Sequence, residues 1–183
     1  VLGARFWSRV RRFERSFYDG TVIDGVRFFR RTAFMQSGGF DETMSGPEDW
    51  DMDKKIKQLG TIALLPPGQN IERAWSLYEF VRERGVVPTR YGSVIFHNES
   101  EFELKPYLRK KGYYAKSFDG YIQKWGKNDP DIRKQFGLWY RFVVVFTEGG
   151  KWCKFVSHPF FAMATLFLKA LTGILFLRNT HKI

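Results

Sequence analysis

Cysteine occurs once in this chain, at position 153, which excludes an internal disulfide and every metal site built from a cysteine cluster. Also lacking are a Gly-x-Ser-x-Gly elbow, a P-loop and a dinucleotide-binding glycine fingerprint, so the common nucleophile and phosphate-cradle motifs are excluded. No helix-turn-helix, zinc-finger or RNP-like pattern occurs, and nucleic acid is not an expected partner. The opening VLGARFWSRVRRFERSF mixes basic and aromatic residues throughout, unlike the charged-then-apolar order of a signal peptide. Acidic charge is scarce: 19 Asp and Glu stand against 30 Lys and Arg, leaving a formal net charge of +11.

What is present is apolar and aromatic surface. Hydrophobic residues make up 44% of the 183, and 19 are phenylalanine, which argues for a packed domain with buried or membrane-facing area. A pI near 9.8 implies an anionic partner, with nucleic acid, a membrane leaflet and a phosphate-bearing substrate all open on charge alone.

The chain is organised around residues 34–60, FMQSGGFDETMSGPEDWDMDKKIKQLG. This reads as a glycine turn, an acidic loop and a helix that starts near Glu48 and stops at Gly60, with Met52, Ile56 and Leu59 as its buried stripe. Glu48, Asp49, Asp51 and Asp53 crowd its beginning, where free backbone N–H groups and the helix dipole favour carboxylates. Such a start is both an ordinary acidic first turn and a rigid mount for a general base.

Upstream, residues 5–17 predict an amphipathic helix with Phe6, Val10, Phe13 and Phe17 on one side and Arg11, Arg12 and Arg15 around the other. TVIDGVRFF reads as an interrupted strand, followed by a short helix from Arg30 that Gly38-Gly39 ends. Downstream, TIALLP and YGSVIF read as strands, IERAWSLYEFVRERG as a helix between them, and the second strand delivers His97 to its end. Glu101 to Lys127 is a basic and aromatic helical segment expected to break at Pro106 and Gly112; it suits a phosphate-bearing ligand or a membrane headgroup region, or is a solvated face. After the GKNDPD turn comes apolar LWYRFVVVF, then a run from Pro159 to Leu177 whose one charge is Lys169. That length approaches a membrane span, yet a mid-bilayer lysine is costly. A helix lying in the interface is expected, with burial in the protein's own core or in a partner as the alternative.

These features together resemble the second half of a family 2 glycosyltransferase of the GT-A fold. The resemblance runs from about residue 5 to 125 and rests on RFFRRTAFMQSGGFDETMSGPEDWDMDKKIKQLG, with HNES and LKPYLRKKGYYAKSFDGYIQKW similar to members that act on lipid-linked acceptors. It implies an α/β fold, a partial GT-A domain over residues 1–100, a basic and aromatic helical segment over 101–130 and an apolar membrane-associated region over 131–183. The implied activity moves a sugar from a nucleotide-sugar donor to a lipid-linked acceptor of the polyprenyl-phosphate type, with inversion. Asp49 would be the base, with Glu48, Trp50, Gly38, Gly39, Phe40 and Asp41 around the acceptor; His97 would contact Mg²⁺ or Mn²⁺ or the diphosphate. The cationic run Arg109, Lys110 and Lys111 suggests a hold on a lipid pyrophosphate. The resemblance further implies an N-terminal nucleotide-binding half ending in Asp-x-Asp, in the same protein or a separate chain, without which this piece would be inactive. Its catalytic part would face the cytoplasm on an anionic membrane. A noncatalytic membrane-bound scaffold of the same fold is the competing expectation.

Overall fold

A computed structural model of the chain describes residues 3–25, 28–62 and 98–180. These residues form α1 (Phe6–Arg15), α2 (Arg31–Gln36), α3 (Glu48–Leu59), α4 (Leu104–Trp125) and α5 (Pro130–Phe136). A π-helical turn at Tyr140–Val144 then continues as one α-turn, Val145–Thr147, before α6 (Trp152–Ser157) and α7 (Pro159–Thr180). Among the described residues there is no strand beyond a single bridge at Asn98, so they carry no sheet of an α/β fold. Most of TIALLP, the helix expected at 71–85 and YGSVIF with His97 lie outside them.

One expected strand is replaced. Residues 21–25 fold as turns because Thr21 takes part in two of them: its N–H donates to the Tyr18 carbonyl (2.9 Å) and its carbonyl accepts from Asp24 N–H (3.2 Å). Its hydroxyl also donates to Tyr18 O and accepts from Ile23 N–H, the local competition by which Thr displaces extended pairing. A second correction concerns α4, which runs through Pro106 and Gly112 without a break. Pro106 is the third residue of the helix, where the backbone N–H has no intrahelical partner to lose.

The core gathers Phe13, Phe17, Tyr140, Val145, Phe146 and Ala162, so α1 and the segment from 140 to 162 share one interior. Lys151 closes it from above by donating to the carbonyls of Phe17 (2.7 Å) and Asp19 (3.2 Å) just past the end of α1. Asp129 caps α5 by accepting from the N–H groups of Asp131 and Ile132, with Pro130 at the first helical position, and it also holds Lys54 of α3 at 2.7 Å.

α1 departs from the simple two-sided pattern, for Ser8, Arg11 and Glu14 are buried beside Val10 and Phe13. The reason is α7, which packs against α1 and presents Lys169, only 5% exposed, to Glu14 at 3.9 Å. Arg11 and the Tyr18 hydroxyl both donate to the Glu14 carboxylate. Burial alone would raise the Glu14 pKa; Arg11, Lys169 and Tyr18 together hold it down at about 2. Tyr107 of α4 lies under the Arg11 guanidinium at 5.0 Å, and Glu99 approaches Arg11 at 3.6 Å, so one ionic cluster joins α1, α4, α7 and the approach to α4.

With a folded pKa near 2 against an ordinary 4.5, Glu14 contributes stability that is fully present above pH 4.5 and is lost as pH falls toward 2. Glu14→Gln should cost about 3–5 kcal/mol in urea denaturation at neutral pH, since it strands Arg11 and Lys169. Lys169→Met, which leaves Glu14 with Arg11 and Tyr18, should cost less than about 1 kcal/mol.

Candidate functional site

The glycines of GGFD end α2 in a Schellman turn. Gly39 N–H donates to the Phe34 carbonyl (3.1 Å) and Gly38 N–H to that of Met35 (3.2 Å), with both glycines at positive φ. Phe40 folds back on Phe34, ring centres 5.6 Å apart, and Phe29 completes the trio. This fixes Asp41, whose carboxylate accepts from the Thr43 hydroxyl (2.6 Å) and the Thr43 N–H (3.1 Å).

The second half of the motif is tied to the first by two lysines. Lys124 of α4 bridges Asp41 (2.9 Å) and Asp51 (2.9 Å). Lys55 of α3 bridges Asp51 (3.0 Å) and the carbonyl of Gly39 (2.9 Å). Asp51 is fully buried and also accepts from the Trp125 indole N–H at 2.7 Å. Burial would raise the Asp51 pKa, but Lys124, Trp125 and Lys55 outweigh it and hold it below the usual carboxylate value. Asp41 is held at about 2, by the Thr43 hydroxyl first and then by Lys124.

The residues expected to act fall into place around this clasp as follows. Glu48 is half-buried, and its carboxylate accepts from the Gly46 N–H, which spends it on the turn into α3. Asp49 is half-buried in the first turn of α3. Trp50 donates to the Ile23 carbonyl (3.0 Å) and stacks on Phe118 at 5.9 Å, with Tyr121 and Phe136 at its other edges. It is therefore a packing residue between α3, α4 and α5. Phe40 keeps 42% exposure at the surface of the turn.

Arg109, Lys110 and Lys111 are exposed on α4, where successive residues fan out by about 100° each. Lys110 and Lys111 both reach over the Tyr114 ring, at 5.4 and 5.8 Å. Tyr114 in turn packs on Gly46, so closely that a Cβ there would meet the tyrosine Cβ at 2.7 Å; with φ at +112° the position accepts glycine alone. Two of the three cations thus border the turn that leads into Glu48 and Asp49, while Lys124 holds the far side of the same helix.

His97 lies outside the described residues. Among those described, no group of three or more His, Cys, Asp or Glu side chains is placed to hold a metal ion, so they do not by themselves fit Mg²⁺ or Mn²⁺. The role of Asp51 as the hub was missed by sequence reasoning. Its spacing from Lys55, four residues, signals one pair; nothing local signals Lys124 and Trp125, more than 70 residues away. The chain matches no protein-family model, no curated protein and no solved structure.

Asp51→Asn should lower stability by about 3 kcal/mol, because Lys55 and Lys124 lose their shared buried counter-charge. Asp41 has a depressed folded pKa, so its contribution is present above pH 3.8 and is lost as pH falls toward 2. Lys124→Met should therefore flatten the acid limb of a stability–pH curve and raise the midpoint of acid unfolding.

Proposed function

We propose that this chain forms the acceptor side of an inverting family 2 glycosyltransferase, working on a lipid-linked acceptor at a membrane, with Asp49 as the general base. The supporting observation is the meeting of the pieces at Gly46: the turn into Asp49 packs on Tyr114, and the same ring carries Lys110 and Lys111. A carboxylate and a phosphate-binding cation pair then share one border, as transfer to a pyrophosphate-linked acceptor requires. The acidic first turn that sequence alone leaves ambiguous has divided its labour, for Glu48 closes the turn and Asp51 holds α4.

In the proposed reaction an Asp49 carboxylate oxygen takes the proton of the acceptor hydroxyl. The acceptor oxygen so released forms a bond to the anomeric carbon from the face opposite the leaving group, and the nucleotide diphosphate departs with the electron pair of the broken glycosyl–phosphate bond. A complementary nucleotide-binding half with Asp-x-Asp at a strand end is the partner this reading requires. Mg²⁺ or Mn²⁺ would belong mainly to that half, neutralising the departing diphosphate, with His97 as a contact from this side. The apolar α7 is long enough to cross a membrane, by length and composition, and supplies the membrane association. The catalytic face is assigned to the cytoplasmic side.

Asp49→Asn in the protein carrying both halves should lower transfer about a thousandfold, within the range for loss of a general base, while nucleotide-sugar binding by calorimetry stays unchanged. Turnover near the wild-type rate would defeat the assignment. Replacing Arg109, Lys110 and Lys111 by Gln together should raise KM for the lipid-linked acceptor about tenfold or more with little change in kcat. An unchanged KM would remove the pyrophosphate role from these residues.

A further inference from the structure

The 22 residues of α7 are inverted relative to a helix of a water-soluble core. Thr165 and Lys169 are buried with Ala162 and Leu168, while Phe160, Met163, Phe167, Ala170, Ile174 and Leu177 are exposed. The exposed positions step by three and four residues, which places them in a single stripe along the whole helix. Met163, at 71% exposed, and Phe160, at 68%, are among the most exposed large side chains described. The stripe widens sideways: Phe6 of α1 touches Phe160 with ring centres 5.6 Å apart, and Trp7 stacks on Phe167 at 6.4 Å. Trp152 and Val156 of α6, just before α7, are exposed too.

Cations surround this surface. Arg9 lies over the Phe161 ring at 5.2 Å, and with Arg12, Gly3 and Ala4 it lines an open cleft of about 210 Å³, in which Arg12 already donates to the Gly3 carbonyl. Lys154 is exposed on α6 and Arg178 near the end of α7. An apolar stripe flanked by arginine and lysine in a protein of charge +11 complements an anionic lipid surface.

We infer that α7 docks flat on an anionic bilayer through this one stripe, with α1 as its support, instead of crossing the membrane, and that the Arg9–Arg12 cleft takes a lipid headgroup phosphate. Two packing facts favour lying flat. α1 covers α7 from Phe161 to Lys169, and α4 reaches its other half, where Phe118 meets Phe176 at 5.8 Å. A crossing α7 would carry these helices inward, and with them exposed Arg9 and the Lys105, Arg109 and Lys110 series of α4, each costly in hydrocarbon. Lying flat keeps every one of them out of the hydrocarbon, with Arg9 at the headgroup level. It also leaves Lys169 on the protein side, paired with Glu14, so the charge that interrupts the apolar run never meets lipid. The inference deepens the membrane association proposed above and is independent of the chemistry at Asp49.

The test uses the full chain with Cys153 replaced by Ser and single fluorophore-labelled cysteines at Met163 or Ile174. These positions are 11 residues apart, about 16 Å along a helix axis. On vesicles of phosphatidylglycerol and phosphatidylcholine, quenching by depth-marked lipids should place both labels at the same depth. Depths differing by more than half that axial separation would overturn the flat geometry. Met163→Glu, Phe167→Glu and Ile174→Glu combined should lower vesicle partition at least tenfold with an unchanged circular dichroism spectrum. Arg9→Gln should lower partition about fivefold on the anionic vesicles and leave binding to pure phosphatidylcholine unchanged; an equal loss on both would remove the phosphate cleft. A wild-type chain that self-associates in solution and ignores vesicles would assign the stripe to a second copy and sink the inference. Asp49→Asn should partition as wild type, so failure of docking and failure of the proposed transfer are read separately.

Discussion

A carboxylate buried between two helices governs how this chain assembles. Glu14 receives Arg11, Tyr18 and Lys169 from three directions, and without it the α1–α7 contact would enclose uncompensated positive charge. The cluster costs desolvation at every member, and its net contribution to stability is smaller than its contact list suggests. Its effect is on orientation. Lys169 lies on the inner side of α7, and the rotation of an almost uniformly apolar helix decides which residues face outward. Lys169 faces inward beside Glu14 and over the Tyr18 and Phe146 rings, and that rotation leaves Phe160, Met163 and Phe167 on the outer face.

A second buried carboxylate plays the corresponding part at the other end of the molecule. Asp51 gathers Lys55, Lys124 and Trp125, and through the two lysines it reaches Asp41 and the Gly39 carbonyl. The Schellman turn and the helix start are separated by eight residues of loop, 40–47, which has no regular structure of its own. The clasp replaces that regularity with charge, so the loop is held near its start at Asp41 and near its end, where Gly46 meets Tyr114. Asp49 sits one residue from Trp50 and two from Asp51. Whatever it does, it does from a mount anchored by an aromatic cluster on one side and an ionic one on the other.

Much of this was legible in the sequence where the rule involved is local. The bounds of α3 follow from Gly46-Pro47 ahead of it and Gly60 behind; of its expected buried stripe Met52 is buried and Ile56 half-buried, while Leu59 in the last turn is exposed. The end of α2 followed from its glycine pair. Pattern rules failed wherever a charge was taken inside, because they assign Arg11 to a solvated face and treat Lys169 as an interruption. Each is buried only because a partner from a distant segment arrives, and neither spacing nor composition records that. The turn at 21–25 was read as strand because Val22 and Ile23 favour extension, while Thr21 and Gly25 favoured the turn and won. The sheet that the α/β reading requires would be built largely from residues 63–97, which lie outside those described, and from the complementary half.

The helix α4 connects the two ends. Its Tyr107 lies under Arg11 in the Glu14 cluster, Tyr114 packs on the turn before Asp49, Trp125 reaches Asp51, and Phe118 touches both Trp50 and Phe176 of α7. It is 22 residues long, about 33 Å, and is unbroken despite a proline and two glycines within it. Packed along α7, it ties the turn before Asp49 to the helix that carries the exposed stripe. On the proposed reading, an acceptor anchored in lipid presents its reactive hydroxyl at a height set by its own headgroup, so a firm link between Asp49 and the exposed stripe counts for more than a deep pocket. The cleft between Arg9 and Arg12 is open, and α4 joins the exposed stripe of α7 to the clasp through Phe118 and Trp125.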